Sequence, residues 1–209
     1  MNTTDKLLAA AAQALSQEGV ASLSARSIAA RAQVNQALIF YHFGSLGGLL
    51  DAAVRRSVDE AVADYRGRLG EVATLSGLLE LGNTLHSVEK ERGNVAQMAQ
   101  VLAGAQRDER LAGAARYAIE TWSAELEAVL RRVLAASPLD GILEPAGMAR
   151  AVAAGFIGLQ LYEGVDPSGA TSAIDALAAI AAIAQSLDGL GPVATRAVRS
   201  RLLKATSER

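Results

Sequence analysis

The chain has 209 residues, 51% of them hydrophobic, and a formal net charge of −2. That length supports one or two domains with a real core, and a balance this close to neutral excludes binding a polyanion by bulk charge alone. There is no cysteine, which excludes disulfides and thiol chemistry and fits a reducing cytoplasm.

No stretch alternates as a strand should, whereas Ala-rich segments repeat with helical period, so the expected fold is all-α. Asp5 and the interruption at Gln13 make the start unlike a signal peptide. The longest apolar runs, 151–159 and 176–184, are too short to span a membrane, so no membrane partner is expected.

The first helix is expected to begin at a Thr3 or Thr4 cap, with Asp5 placed against the helix dipole. Leu7, Leu8, Ala11, Ala12 and Leu15 form its apolar stripe, and Gly19 ends it. Next comes LSARSIAARAQVNQALIFYHFGSLGGLL, residues 23–50. Ser24 can cap one short helix, a turn falls at Ala32-Gln33-Val34, and Asn35 can cap a second. On that second helix Ile39 and Phe43 share one side, expected to face the core. Ala37, Leu38, Tyr41 and His42 then face outward, with Gln36 near the N-terminal tip. Such a surface suits a major groove: Gln meets an adenine edge, Ala or Leu a thymine methyl, and Tyr and His reach phosphates. Gly44 breaks the helix, and Ser45 can cap a third whose free N–H groups suit a phosphate.

These residues resemble the TetR family of bacterial transcriptional regulators. The resemblance rests on Phe40-Tyr41-His42-Phe43, then Gly44-Ser45 and Leu49-Leu50, and covers residues 3–55. There are three departures from the family pattern. Gln33 stands where the turn often has Gly, Phe40 replaces a Tyr, and Leu46 replaces a Lys, which puts two phosphate contacts in doubt. The resemblance implies a three-helix helix-turn-helix DNA-binding domain over 1–48 and a helical effector-binding and dimerisation domain over 49–209. The DNA-binding set is then Ser24, Arg26, Asn35, Gln36, Ala37, Leu38, Tyr41, His42 and Ser45. Residues 1–50 carry Lys6, Arg26 and Arg31 against Asp5 and Glu18, a net of +1. The salt dependence of binding should therefore be shallow, with a slope of about −4 for four phosphates neutralised per dimer.

A long helix over 46–68 carries Leu49, Leu50, Ala53, Val54, Val58, Ala61, Val62 and Tyr65 on one face, with Gly67 and Gly70 expected to close it. Further helices are expected over 74–92, from Asn94 as cap to about 103, and over 108–135. The first has Leu75, Leu78, Leu79, Leu85 and Val88 inward. The last carries Leu111, Ala115, Ile119, Trp122, Leu126, Val129 and Val133. Residues 137–141 read as a loop.

Segments 146–162 and 169–187 are apolar nearly all round and need cover on both sides. They are either the monomer's central core or, as the resemblance implies, a homodimer interface. Candidate contributors are Ala149, Ala153, Phe156, Ile157, Gln160, Ile174, Leu177, Ala181 and Ala184. The basic stretch after Pro192 reads as a last helix or a tail.

No hydrolase, P-loop or metal-ligand pattern occurs, so neither enzymatic activity, a metal nor a cofactor is expected. The resemblance implies a pocket for a small apolar or amphipathic effector, with His86, Gln97, Met98, Tyr117, Trp122 and Tyr162 as candidate lining. The expected function is a cytoplasmic repressor that leaves a pseudo-palindromic double-stranded operator when the effector binds. The alternative is a helical ligand-binding or scaffold protein whose helix-turn-helix no longer works.

Overall fold

The computed structural model describes residues 2–135, 137–186 and 190–207. Among these it has ten α-helices and no strand: α1 (Thr3–Glu18), α2 (Ala25–Ala32), α3 (Ala37–Phe43), α4 (Leu46–Glu71), α5 (Leu75–Glu91), α6 (Asn94–Ala105), α7 (Glu109–Ala135), α8 (Pro145–Glu163), α9 (Pro167–Ser186) and α10 (Pro192–Ser207).

Side-chain caps set several of the starts. Asn2, rather than Thr3 or Thr4, caps α1: its Oδ1 accepts from the Asp5 N–H at 2.8 Å. Thr74 caps α5 by accepting from the Gly77 N–H at 3.0 Å. Glu144 caps α8 by accepting from the Ala146 and Gly147 N–H groups, and Asp166 caps α9 by accepting from Gly169. These bonds hold both carboxyls below their ordinary range, since only the charged form accepts them fully. Their support of α8 and α9 is complete above the usual carboxylate range and fades as pH falls through the lower folded-state values. Acid titration followed by circular dichroism should therefore show a helical loss that Glu144→Gln makes less pH-dependent.

Packing groups the chain into two compact units, Met1–Asp64 with Leu85–Thr121, and Tyr65–Thr84 with Trp122–Arg209. The first unit takes in α4 as far as Asp64. In the first unit α1 lies against α2 and α6, and Leu7, Leu15, Ile28, Ile39, Leu49, Val54 and Val62 are fully buried. Within α1 the inward positions are Leu7, Ala10, Ala11, Ala14 and Leu15, while Leu8 and Ala12 are half-buried. The eight apolar residues expected on one face of α4 are all buried. In the second unit α8 packs on α9, and Leu130, Leu134 and Ala149 are among its most buried residues.

Several expected boundaries move for identifiable reasons. α4 runs through Gly67 and Gly70 to Glu71. Neither glycine has positive φ, and Arg132 donates to the Leu69 and Val72 carbonyls at the true end. Asn94 does not cap α6. Gly93, at φ 80°, precedes the helix without a side-chain cap, and the Asn94 amide donates to Glu89 instead. On α5 the buried pair is Leu78 and Leu81, whereas Leu75, Leu79, Leu85 and Val88 are half-buried. On α7, Ile119 is exposed. The run at 176–184 lies within a 20-residue helix, Pro167–Ser186, which by length and composition alone is long enough to cross a membrane.

Candidate nucleic-acid interface

The reader is built from three junctions. At the first, Ser24 accepts from the Ser27 N–H at 3.0 Å while Ser27 Oγ accepts from the Ser24 N–H, a reciprocal box closing the start of α2. A cap of this type is worth about 1 kcal/mol. At the second, Gln33 takes the left-handed conformation, φ 56°, and its N–H with that of Val34 closes the last turn of α2. A non-glycine residue thus fills the turn position. Asn35 Oδ1 then accepts from the Ala37 N–H at 2.9 Å and starts α3. At the third, Gly44 (φ 72°) ends α3, and Ser45 accepts from the Gly48 N–H at 3.0 Å to start α4, bent 65° from α3.

Between these junctions Ile39 is fully buried and anchors α3. Gln36, Ala37, Tyr41 and His42 are exposed, as are Ser24, Arg26, Asn35 and Ser45. Tyr41 is 82% exposed, and its ring meets that of His42 edge-on at 4.9 Å. Leu38 departs from its expected outward position and is half-buried, and Phe43, expected inside, is half-buried as well. Phe40, not counted in the outward set, is 49% exposed. The i, i+4 spacing from Gln36 to Phe40 was the signal for it.

The hydroxyl oxygens of Ser24 and Ser45 and the Asn35 side-chain carbonyl accept cap bonds, so these residues shape helix starts. Arg31 is tied to Glu18 and Gln17 on α1. Arg26 is exposed at the start of α2, which leaves the face rich in neutral donors and poor in cations.

The candidate effector residues are drawn from both units. His86, Gln97, Met98 and Tyr117 belong to the first unit, Trp122 and Tyr162 to the second. Gln97 is 4% exposed, and among the described residues its Nε2 has no hydrogen-bond partner. Tyr117 is committed elsewhere: its hydroxyl donates to Asp59, and Arg55 lies over its ring. The bond to Asp59, then burial, raises the phenol above its ordinary value. Tyr162 is 52% exposed at the end of α8, a surface position. Of the candidate interface residues, Ala149 (1% exposed) and Ala153 are buried within the chain. Phe156, Ile157, Gln160, Ile174, Ala181 and Ala184 are half-buried, and Leu177 is exposed.

Residues 7–53 match the sequence pattern of bacterial regulatory proteins of the tetR family. No curated protein matches the chain in sequence. Among solved structures, a transcriptional regulator from Rhodococcus sp. is similar at 24% identity over 91% of this chain and 100% of that one, with a TM-score of 0.69. A TetR transcriptional regulator from Legionella pneumophila is similar at 17% identity over 84% and 96%, with a TM-score of 0.64. The multidrug binding protein EbrR, complexed with imidazole, is similar at 24% identity over 85% and 95%, with a TM-score of 0.60.

Fold and site together define an all-helical chain, among its described residues, whose N-terminal segment has the helix-turn-helix arrangement of DNA-binding proteins. More narrowly, residues 7–53 resemble the DNA-binding segment of the tetR family of bacterial regulatory proteins, and the chain as a whole shares its fold with the solved regulators it is similar to.

Proposed function

We propose that the protein is a homodimeric transcriptional repressor that leaves a pseudo-palindromic operator when a small apolar or amphipathic molecule binds its body. The observation that carries the reading is α3 itself. It is seven residues long, pinned from inside by Ile39, braced at both ends, and presents Gln36, Ala37, Tyr41 and His42 to solvent. Two such helices on one dimer would enter successive major grooves about one turn, roughly 34–36 Å, apart or somewhat wider. The binding of imidazole by the similar EbrR, together with the buried, unsatisfied Gln97 amide, supports an effector that offers a hydrogen-bond acceptor. Release follows only if the effector binds the DNA-free arrangement better than the DNA-bound one.

The test is selection of bound duplexes from a random pool near physiological salt. Enrichment of an inverted repeat supports the reading; a folded dimer that enriches nothing sinks it. Two substitutions then divide the contacts. Tyr41→Ala should weaken binding to every sequence by a similar factor, roughly fivefold for one lost phosphate contact. Gln36→Ala should relax preference at one base pair, by about 1–3 kcal/mol of discrimination. Parental binding by both variants would mean that α3 does not lie in the groove as proposed.

A further inference from the structure

Asp51, Arg55 and Asp59 recur every four residues along α4, so their side chains leave the helix in nearly one direction. There they meet α7. Arg55 Nε donates to Asp51 at 2.7 Å, and its guanidinium carbon lies 4.4 Å from the centroid of the Tyr117 ring. The Tyr117 hydroxyl donates to Asp59. One turn earlier on α7, a Cβ at Gly113 would stand 3.4 Å from Asp51 Oδ1, an ordinary van der Waals contact, so α7 runs close beside the same stripe there. Tyr117 therefore grips the α4 stripe twice, once through its ring and once through its hydroxyl.

The other end of α4 is joined to the reader with almost no slack. Only Gly44 and Ser45 separate α3 from α4. The Ser45 cap closes the corner, and a Cβ at Gly48 would fall 2.3 Å from the Phe43 carbonyl oxygen. A joint packed this closely does not let α3 tilt independently of α4. Whatever fixes α4 against α7 therefore fixes the direction of α3.

We propose that Tyr117 is a positioning residue for DNA recognition: through Arg55 and Asp59 it sets the angle at which α3 is presented. This rests on the DNA-binding reading above. It takes Tyr117 out of the effector set and gives it a role touching neither DNA nor effector. Its substitution should change the geometry of the preferred site and leave the bases read within each half-site the same.

The experiment runs full-length parent, Tyr117→Phe and Tyr117→Leu through the same random-duplex selection, with circular dichroism monitoring the fold. Phe keeps the ring beneath Arg55 and loses the bond to Asp59; Leu loses both. All three should enrich the same half-site sequence, with the spacing between half-sites broadening from parent to Phe to Leu. Affinity for the parental site should fall roughly fivefold for Leu, the scale of an exposed cation–π contact and hydrogen bond together. A residue that only stabilised the fold would lower the melting temperature and leave the spacing unmoved. A folded Leu variant with parental spacing, and affinity within about twofold, overturns the proposal. If Leu does not fold, unchanged spacing in the Phe variant overturns it. A parent that enriches no repeat overturns the DNA-binding reading itself, and this proposal with it.

Discussion

Replacing Gly48 with alanine should disable the reader, although glycine to alanine within a helix ordinarily gains up to about 1 kcal/mol. The new methyl carbon would stand 2.3 Å from the Phe43 carbonyl oxygen and 3.5 Å from Ser45 Oγ. The carbonyl is main chain at the end of α3, so relief requires the corner between α3 and α4 to open. Opening it strains the Ser45 cap and shifts the seat of Ile39. Overpacking of this kind costs about 1–3 kcal/mol, and the displaced α3 loses its alignment for DNA. Gly67→Ala and Gly70→Ala are the controls. Both lie in the same helix, and a Cβ at either has nothing within 4 Å. Those two should raise the melting temperature, whereas Gly48→Ala lowers it and abolishes operator binding. Thermal unfolding and a binding titration on the three variants decide it; a stabilised, DNA-competent Gly48→Ala would show that the corner is not closed as described.

The same contrast among glycines shows what the sequence could and could not tell. Gly67 and Gly70 looked like helix ends because glycine is a poor helix former. Their fate was decided by Arg132, far along the chain, which satisfies the terminal carbonyls beyond them. Local capping signals were legible at Ser24, Asn35 and Ser45, which all start helices as their chemistry dictates, but not at α1, where Asn2 takes the place expected of Thr3 or Thr4, nor at Asn94, whose amide turns to Glu89. The apolar face of α4 was legible too, since its period is set by helix geometry alone. The outward set of α3 was legible except at Leu38 and Phe40, because seven residues make two turns and the face boundary falls between them. Tyr117 could not be read at all. An aromatic on an amphipathic helix suits a pocket as well as a brace, and only its distance to Arg55 and Asp59, about sixty residues upstream, separates the two.

Ile180→Glu should convert the proposed dimer into a folded monomer that no longer holds its operator. On α9, Leu177, Ile180 and Ile183 are exposed within the chain, Ile180 by 63%. Spacings of three and six residues put them along one flank of the helix. Scattered apolar residues on a surface are ordinary, but a contiguous row on a helix that is apolar nearly all round marks an interaction face. In the isolated chain the new carboxylate meets water, so the substitution costs folding little. At an isologous interface the change occurs twice, once per subunit, and each carboxylate would lie against apolar surface without a partner. An unpaired charge buried there costs a few kcal/mol, which corresponds to a dimer dissociation constant raised about 100-fold or more. Operator affinity then falls much further than any single contact could explain, because two half-sites no longer bind as one unit. Sedimentation gives the mass, circular dichroism the fold, and titration with operator the affinity. A variant that stays dimeric would place the partner-facing surface elsewhere on the chain.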